Sequence, residues 1–290
     1  MIATTEPHPS RQKGRVGGLS WFADASLVAP LLLAVLPMMW LVYSSFRLTR
    51  YIIGANPATS FFSLTFTNYA EAFNGQSPLA REFLNSLAIV VGTIVLAVGI
   101  GALAGYSLSK LSWSKRSVSL LLGACLLIQL VPPVALLPGF YVTLERLGVL
   151  GSVGGLVLLN TVVNVPFATL LMKVYFDAIP GELREAAAVD GASEMRCMLR
   201  IMAPLAAPGI ATTSILVGIF SWNEFLMGLT MSSSTANAPF TVGVAALLEP
   251  YSIQFGPMAA AATIAAVPMI VISLIAGRRL ISGLTAGALK

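Results

Sequence analysis

Between two long apolar runs lies the stretch Asp177-Ala-Ile-Pro-Gly-Glu-Leu-Arg-Glu-Ala-Ala-Ala-Val-Asp-Gly-Ala-Ser-Glu-Met-Arg-Cys-Met-Leu-Arg-Ile-Met-Ala-Pro204. It is polar, and its punctuation predicts two short helices. Pro180 suits a first helical turn, where its missing N–H costs nothing. Residues 181–189 are strong helix formers, with Glu182 and Glu185 near the positive end of the helix dipole. Gly191 is suited to the left-handed conformation that ends a helix. Ser193 follows as an N-cap, with Glu194 in the first turn of a second helix that reaches about Met202. Pro204 and Pro208 mark the start of the next apolar run. A capped helix–turn–helix of about 30 residues is too long and too structured for a plain connection, and it predicts a docking role.

The rest of the chain explains why a polar stretch stands out. Of 290 residues, 57% are apolar and only 10% charged, and the mean hydropathy is +0.85. A soluble domain would carry about 25% charged residues, so most of this surface faces lipid. Apolar runs lie at about 25–46, 83–108, 117–141, 152–175, 206–230 and 257–277. Each is close to the roughly 20 residues that a helix needs to cross a bilayer. The predicted fold class is therefore an all-α membrane protein with six transmembrane helices. The first run is too long for a signal-peptide core and lacks a small-x-small cleavage site, so it reads as an uncleaved span. Pro132–Pro133 predicts a bend in the third span. Gly101 and Gly105 are spaced for close helix–helix contact; no strand precedes them, so a phosphate-cradling loop is excluded.

Orientation follows from the basic residues between spans. Arg11, Lys13, Arg15, Lys110, Lys115, Arg116, Lys173, Arg184, Arg196, Arg200, Arg278, Arg279 and Lys290 make thirteen on one side, against Arg47, Arg50, Arg81 and Arg146 on the other. The positive-inside rule puts both termini in the cytoplasm. The chain then divides into a cytoplasmic basic tail, 1–20, and a transmembrane domain, 21–290, whose cytoplasmic loop spans 177–205. The outer loop 47–82 is expected to hold a short interfacial helix. The outer loop 231–256 is Ser/Ala/Pro-rich and flexible-looking.

Several function classes drop out. The net charge of +5 comes from residues at span ends, which is orientation chemistry and not a nucleic-acid footprint. Cys125 and Cys197 lie in runs of different polarity, and the only histidine is His8, so a disulfide or Cys/His metal site is not expected. No Walker-type Gly-x4-Gly-Lys-Ser/Thr occurs, nor any nucleophile–base constellation. A self-sufficient secondary transporter would need internal repeats and buried coupling carboxylates, which the sequence does not offer.

Polar side chains within the spans are few and costly in hydrocarbon. Gln129, Asn160, Asn164, Asn223 and Glu224 are the candidates for lining a solute pathway. Each amide has a second reading as an interhelical hydrogen bond, and Glu224 a second reading as an anchor for the outer loop.

Three segments carry a family resemblance. Glu185-Ala186-Ala187, three residues, Gly191, nine residues and Ile201-Met202-Ala203-Pro204 resemble the EAA loop of ABC-importer permeases. Ala203 departs from the Leu usual there. Ser221-Trp222-Asn223-Glu224-Phe225 resembles the Trp-Asn-Glu-Phe signature of carbohydrate-importer permeases, and Gly283-Leu284-Thr285-Ala286-Gly287-Ala288-Leu289-Lys290 the ending of the maltose-type, MalG-like subunits. The resemblance implies a type I ABC-importer permease fold and a multi-pass location in the bacterial or archaeal cytoplasmic membrane. Its implied partners are a second, MalF-like permease, two ATP-binding subunits, an extracytoplasmic sugar-binding protein and membrane lipid, with no nucleic acid. No cofactor is implied for this chain; ATP and Mg belong to the partner ATPase. In the family the loop docks on that ATPase. By position, Glu185 would meet a basic group, Ala186 and Ala187 would allow close approach, Gly191 would permit the turn beside Asp190, and Ile201 and Pro204 would close the motif. Lys290 would touch the ATPase as well. The EAA spacing fits permeases for other solutes equally.

Overall fold

The computed structural model describes residues 20–54, 62–73, 77–248 and 254–287. The basic tail up to residue 19 and Lys290 lie outside the described residues.

The described residues fold almost entirely as helices: α1 Ser20–Ser45, α2 Thr49–Ile53, α3 Thr67–Ala72, α4 Leu79–Lys110, α5 Lys115–Leu130, α6 Pro133–Arg146 and α7 Val153–Asp177. There follow α8 Glu182–Val189, α9 Glu194–Cys197, a π-helical turn Met198–Met202, α10 Ala203–Leu205, α11 Ala207–Trp222, α12 Leu226–Met231, α13 Phe240–Ala246 and α14 Phe255–Gly287. Helices α4, α7 and α14 are long and apolar enough to cross a membrane unbroken. Two bent pairs, α5 with α6 and Glu194–Leu205 with α11, pass the same test when each is taken together, which makes up to five spans among the described residues, and α1 contributes a shorter apolar stretch, Pro30–Ser45. Large apolar side chains along α1, such as Leu31 and Leu33, are exposed.

The bend expected at Pro132–Pro133 is 97° between α5 and α6. Two consecutive residues without N–H remove two rungs of the helical ladder, so α6 starts a new direction. The stretch Glu194–Leu205 turns by 80° into α11. Here Pro204 brings no N–H to the carbonyl four residues earlier, and the chain widens into the π turn just before it.

Helices α4 and α7 form the seam of the molecule. At 32 residues α4 is about 48 Å long. A Cβ added at Gly101 would lie 2.6 Å from the Ala168 Cβ and 2.9 Å from its backbone, and one at Gly105 would lie 2.7 Å from the Lys173 nitrogen. Ala97, Ala168 and Val217 close this contact with no exposure. Helix α11 joins the seam through Ser221, whose hydroxyl reaches Thr93 at 3.5 Å. Trp222 Nε1 donates to the Ala265 carbonyl of α14 at 3.2 Å.

The outer side is more ordered than its composition suggests. Loop 47–82 carries two short helices, α2 and α3. The Asn85 amide donates to the Ala236 and Ala238 carbonyls at 2.9 and 3.0 Å, and Asn237 donates to Gly151 O at 2.7 Å. These bonds fix the segment before α13, which the Ser/Ala/Pro composition alone presents as loose.

The seam makes a test. Gly101→Val is expected to destabilise the detergent-purified protein by roughly 1–3 kcal/mol, because the added atoms meet backbone. Gly99→Ala, with nothing within 4 Å of its Cβ, should stay within about 0.5 kcal/mol of wild type. Thermal unfolding of both variants checks this; equal melting temperatures would remove the seam as the determinant.

Candidate functional site

Two places concentrate polar chemistry: the cytoplasmic loop and a cavity within the spans. In the loop, Pro180 sits one residue ahead of the α8 cap, Gly181, and not inside the first turn. Glu182 and Glu185 occupy that turn. Asp190 is the C-cap, its N–H donating to the Ala186 carbonyl at 3.0 Å, and the Gly191 N–H donates to the Ala188 carbonyl at 3.1 Å. Gly191 has φ +78°, the left-handed region where a side chain is strained. Ser193 caps α9, its hydroxyl accepting from the Arg196 N–H at 3.4 Å.

Helix α8 has one buried face. Ala187 is 4% exposed, and it joins Ala102 and Tyr106 of α4, Met172 and Phe176 of α7, and Cys197, Met198, Met202 and Ala206 in one apolar cluster. Ile201 packs against the same cluster, whereas Pro204 is exposed. Glu185, Ala186, Asp190 and Gly191 are exposed on the outer side of the loop, next to Val189 at 88%. Thus Ala187 serves the protein's own core, while Ala186 faces outward.

A polar bridge reinforces the cluster. Tyr106 Oη donates to Glu194 Oε2 at 2.7 Å. Arg184 Nε donates to the same oxygen at 3.2 Å, and Arg184 Nη2 pairs with Glu194 Oε1. Arg184 first, and Tyr106 second, hold the Glu194 carboxyl below the usual range, and Glu194 raises Arg184 in return. Lys110 Nζ donates to the Ile179 carbonyl at 2.5 Å, tying the end of α4 to the chain leaving α7. Sequence reasoning missed this bridge: Tyr106 and Glu194 stand 88 positions apart, and nothing local marks them as partners. Ala203 lines an apolar groove between α4 and α11 with Met195 and Leu199. The small residue there leaves the groove open.

The five polar residues singled out within the spans all line one cavity of about 550 Å³. Gln129 comes from the end of α5, Asn160 and Asn164 from α7, and Asn223 and Glu224 from the break between α11 and α12. Pro132 and Pro133 close one side, and Phe220 and Phe225 add aromatic faces. The volume lies within the roughly 300–1,000 Å³ of small-molecule sites. Broken helices facing a polar cavity are where irregular backbone is tolerated at membrane depth.

The amides divide between the two readings. Gln129 Nε2 bonds another helix, at Val163 O, 3.2 Å away. The other three turn back on their own helix. Asn160 Nδ2 donates to Leu156 O at 3.0 Å, Asn164 Nδ2 to Asn160 O at 2.8 Å, and Asn223 Nδ2 to Ile219 O at 2.8 Å. Glu224 is an anchor that also lines the cavity: its carboxylate accepts from the Met227 and Gly228 N–H groups at 2.7 and 3.0 Å, and its carbonyl accepts from Thr241 Oγ1 at 2.9 Å. Among the described residues, no group of three or more His, Cys, Asp or Glu side chains is placed to hold a metal. Another buried carboxylate, Glu82 in the first turn of α4, lies against Gly243 of α13 with Oε2 unpartnered. It escaped the sequence reading because it precedes the expected start of its span.

Residues 97–284 match the family model described as "binding-protein-dependent transport system inner membrane component". The trehalose transport system permease protein SugB of Mycobacterium tuberculosis is 34% identical over 261 residues, covering 89% of this chain and 93% of that protein. A solved bacterial ABC transporter that imports the acidic polysaccharide alginate aligns with a TM-score of 0.74 at 20% identity, over 94% of this chain and 99% of the other. A further structure, of a bacterial alginate ABC transporter in complex with an alginate pentasaccharide-bound periplasmic protein, aligns at 0.56 and 17% identity, over 89% and 93%. These two likenesses establish a shared fold.

The Glu194 bridge predicts a pH-dependent stability. Its depressed folded pKa contributes stability above the unfolded value, roughly 4.3, and that contribution is lost as pH falls through the folded value. The side chain is 47% exposed, so screening keeps the effect small. Glu194→Gln should melt below wild type at pH 7, and the gap should close below about pH 4. A gap independent of pH would show that charge plays no part.

Proposed function

We propose, from the premise that this chain belongs to the family of binding-protein-dependent transport system inner membrane components, that it forms one half of the translocation pathway of an ATP-driven sugar importer. In this reading it lies in the cytoplasmic membrane of a bacterium or archaeon. A second permease forms the other half, two ATP-binding subunits dock from the cytoplasm, and an extracytoplasmic binding protein delivers the sugar. ATP and Mg act on the ATPase; this chain supplies no nucleotide site.

One observation carries the proposal: the coupling loop exposes Glu185, Ala186, Asp190 and Gly191 while its other face is fixed to α4 and α7. A conduit must alternate access without opening a continuous hole, so work has to enter from outside the chain. Closure of the ATPase subunits would pull on α8. Ala187 and Ile201 lie in or against the cluster that holds Tyr106 and Phe176, so α4 and α7 must follow as a rigid unit. The cavity lined by Gln129, Asn160, Asn164, Asn223 and Glu224 would then face alternate sides. Its amides and aromatic faces suit a sugar. The relative that transports trehalose supports that class. Lys290, beyond the described residues, is a further ATPase contact in this reading, and Pro204 marks where the loop gives way to the fifth span.

The test separates coupling from assembly. Glu185→Ala removes an exposed charge, and Gly191→Val strains the +78° backbone. Both are expected to lower sugar uptake at normal membrane levels while ATP hydrolysis persists. Uptake unchanged in both variants would refute the coupling role. Uptake of a non-sugar solute delivered by the cognate binding protein would refute the sugar class.

A further inference from the structure

We propose that this chain carries a site for one anionic phospholipid of the cytoplasmic leaflet, with an acyl chain in the groove between α4 and α11 and the phosphate on Arg196 and Arg200. The inference takes the cytoplasmic placement of the loop from the importer reading above and needs nothing of its sugar class.

The groove has a volume of about 520 Å³, and Ser214 is the one polar side chain in its lining. Even that hydroxyl is spent, donating to the Ile210 carbonyl of its own helix at 2.7 Å. Along α4 the groove runs from Ile94 to Leu103, about 14 Å of helix. That is close to one leaflet of a hydrocarbon core about 30 Å thick. Small residues keep it open. A Cβ built at Gly99 meets nothing within 4 Å, and Ala203 lines the same groove. Val95, Leu103 and Leu199 stay exposed along it. A slot of this kind offers dispersion contacts to a flexible hydrocarbon chain, which brings no polar group to satisfy.

The headgroup end is set by the stretch Glu194–Leu205, which lies at 80° to α11. With α11 crossing the membrane, this stretch runs near the plane of the interface. Cys197, Met198 and Met202 turn into the core cluster. Met195 and Leu199 line the groove. Arg196 and Arg200 stand one position after each of them and are exposed. Apolar side chains on one flank and cations on the next suit a helix lying among headgroups. Among the described residues the ion pairs are Lys173 with Asp177 and Arg184 with Glu194, so neither Arg196 nor Arg200 has a carboxylate partner. The neighbouring Glu194 is already held by Arg184 and Tyr106. Two such guanidiniums suit a phosphate, which arginine can grip with paired N–H groups. A choline or ethanolamine ammonium beside them would meet like charge. The site therefore favours a headgroup of net negative charge.

Native mass spectrometry of the full-length chain, purified in detergent with the subunits that accompany it, reads the site directly. The probes are phosphatidylglycerol and phosphatidylcholine with the same acyl chains. Wild type is expected to retain phosphatidylglycerol preferentially. Arg196→Gln and Arg200→Gln should each weaken that retention about fivefold and leave phosphatidylcholine unchanged. Gly99→Phe fills the groove at a position without neighbours and should weaken both lipids alike. Ala203→Leu is the second filler, used where Gly99→Phe shifts the melting temperature. Equal retention of the two lipids by wild type, or retention unchanged in the fillers and in both arginine variants, would overturn the site. Loss of a companion permease in the fillers, with lipid retention intact, would give the groove to a neighbouring helix. Loss of the ATP-binding subunits in the arginine variants, with lipid retention intact, would give the arginines to that contact. Either result overturns the lipid site. Sugar uptake into vesicles is followed in parallel. Uptake without any lipid preference removes the site alone, whereas lipid preference without uptake keeps the site and removes the importer reading.

Discussion

The structure depends on how closely α4 and α7 approach. Gly101 and Gly105 leave no room for a side chain against Ala168, Met172 and Lys173. In lipid, apolar surface gains nothing from leaving water, so helices adhere through such close contact. The seam brings Tyr106 beside Phe176 at its cytoplasmic end, with ring centroids 5.6 Å apart. The floor of the cytoplasmic loop is those two rings, packed in one cluster with Ala187. A wider separation would leave Ala187 with nothing to bury against, and the loop would keep its caps and lose its attachment.

The loop and the cavity are two ends of that same seam. Asn160 and Asn164 lie on α7 some twelve or more residues before Phe176, which is roughly 18–24 Å along a helix. Helix α7 therefore links the cytoplasmic loop to the cavity-lining amides without any intermediate part. The Tyr106–Glu194–Arg184 bridge adds direction to an otherwise greasy contact. Apolar clusters resist separation but tolerate sliding; hydrogen bonds from Tyr106 and Arg184 to one carboxylate fix the register of α9 against α4.

Much of this was legible in the sequence where the signal is local. Gly191 ends α8 in the left-handed region, and Ser193 caps α9, because turns and caps are set by single residues. The bend at Pro132–Pro133 follows from two missing N–H groups. The small-residue spacing at Gly101 and Gly105 announced a helix contact, although not its partner. What stayed hidden is tertiary. The sequence presents Ala186 and Ala187 as a pair, but helical periodicity sends one outward and one into the core. The amides were separable from their apolar surroundings by cost alone, yet their convergence on one cavity also depends on the break between α11 and α12, which no local pattern fixes.

Rigidity at the seam raises the question of where the molecule yields. The breaks at Val131–Pro132 and at Asn223–Phe225 both border the cavity. Residues at such breaks absorb backbone rotation at low cost because fewer helical hydrogen bonds must be broken. Glu224 limits that freedom at the second break by holding Met227, Gly228 and Thr241 together. In the proposed importer, motion delivered by α8 would pass along α4 and α7 and be expressed where α5, α6, α11 and α12 are interrupted. Its cavity would then change shape at the interrupted walls, while the wall that α7 supplies stays fixed to α4.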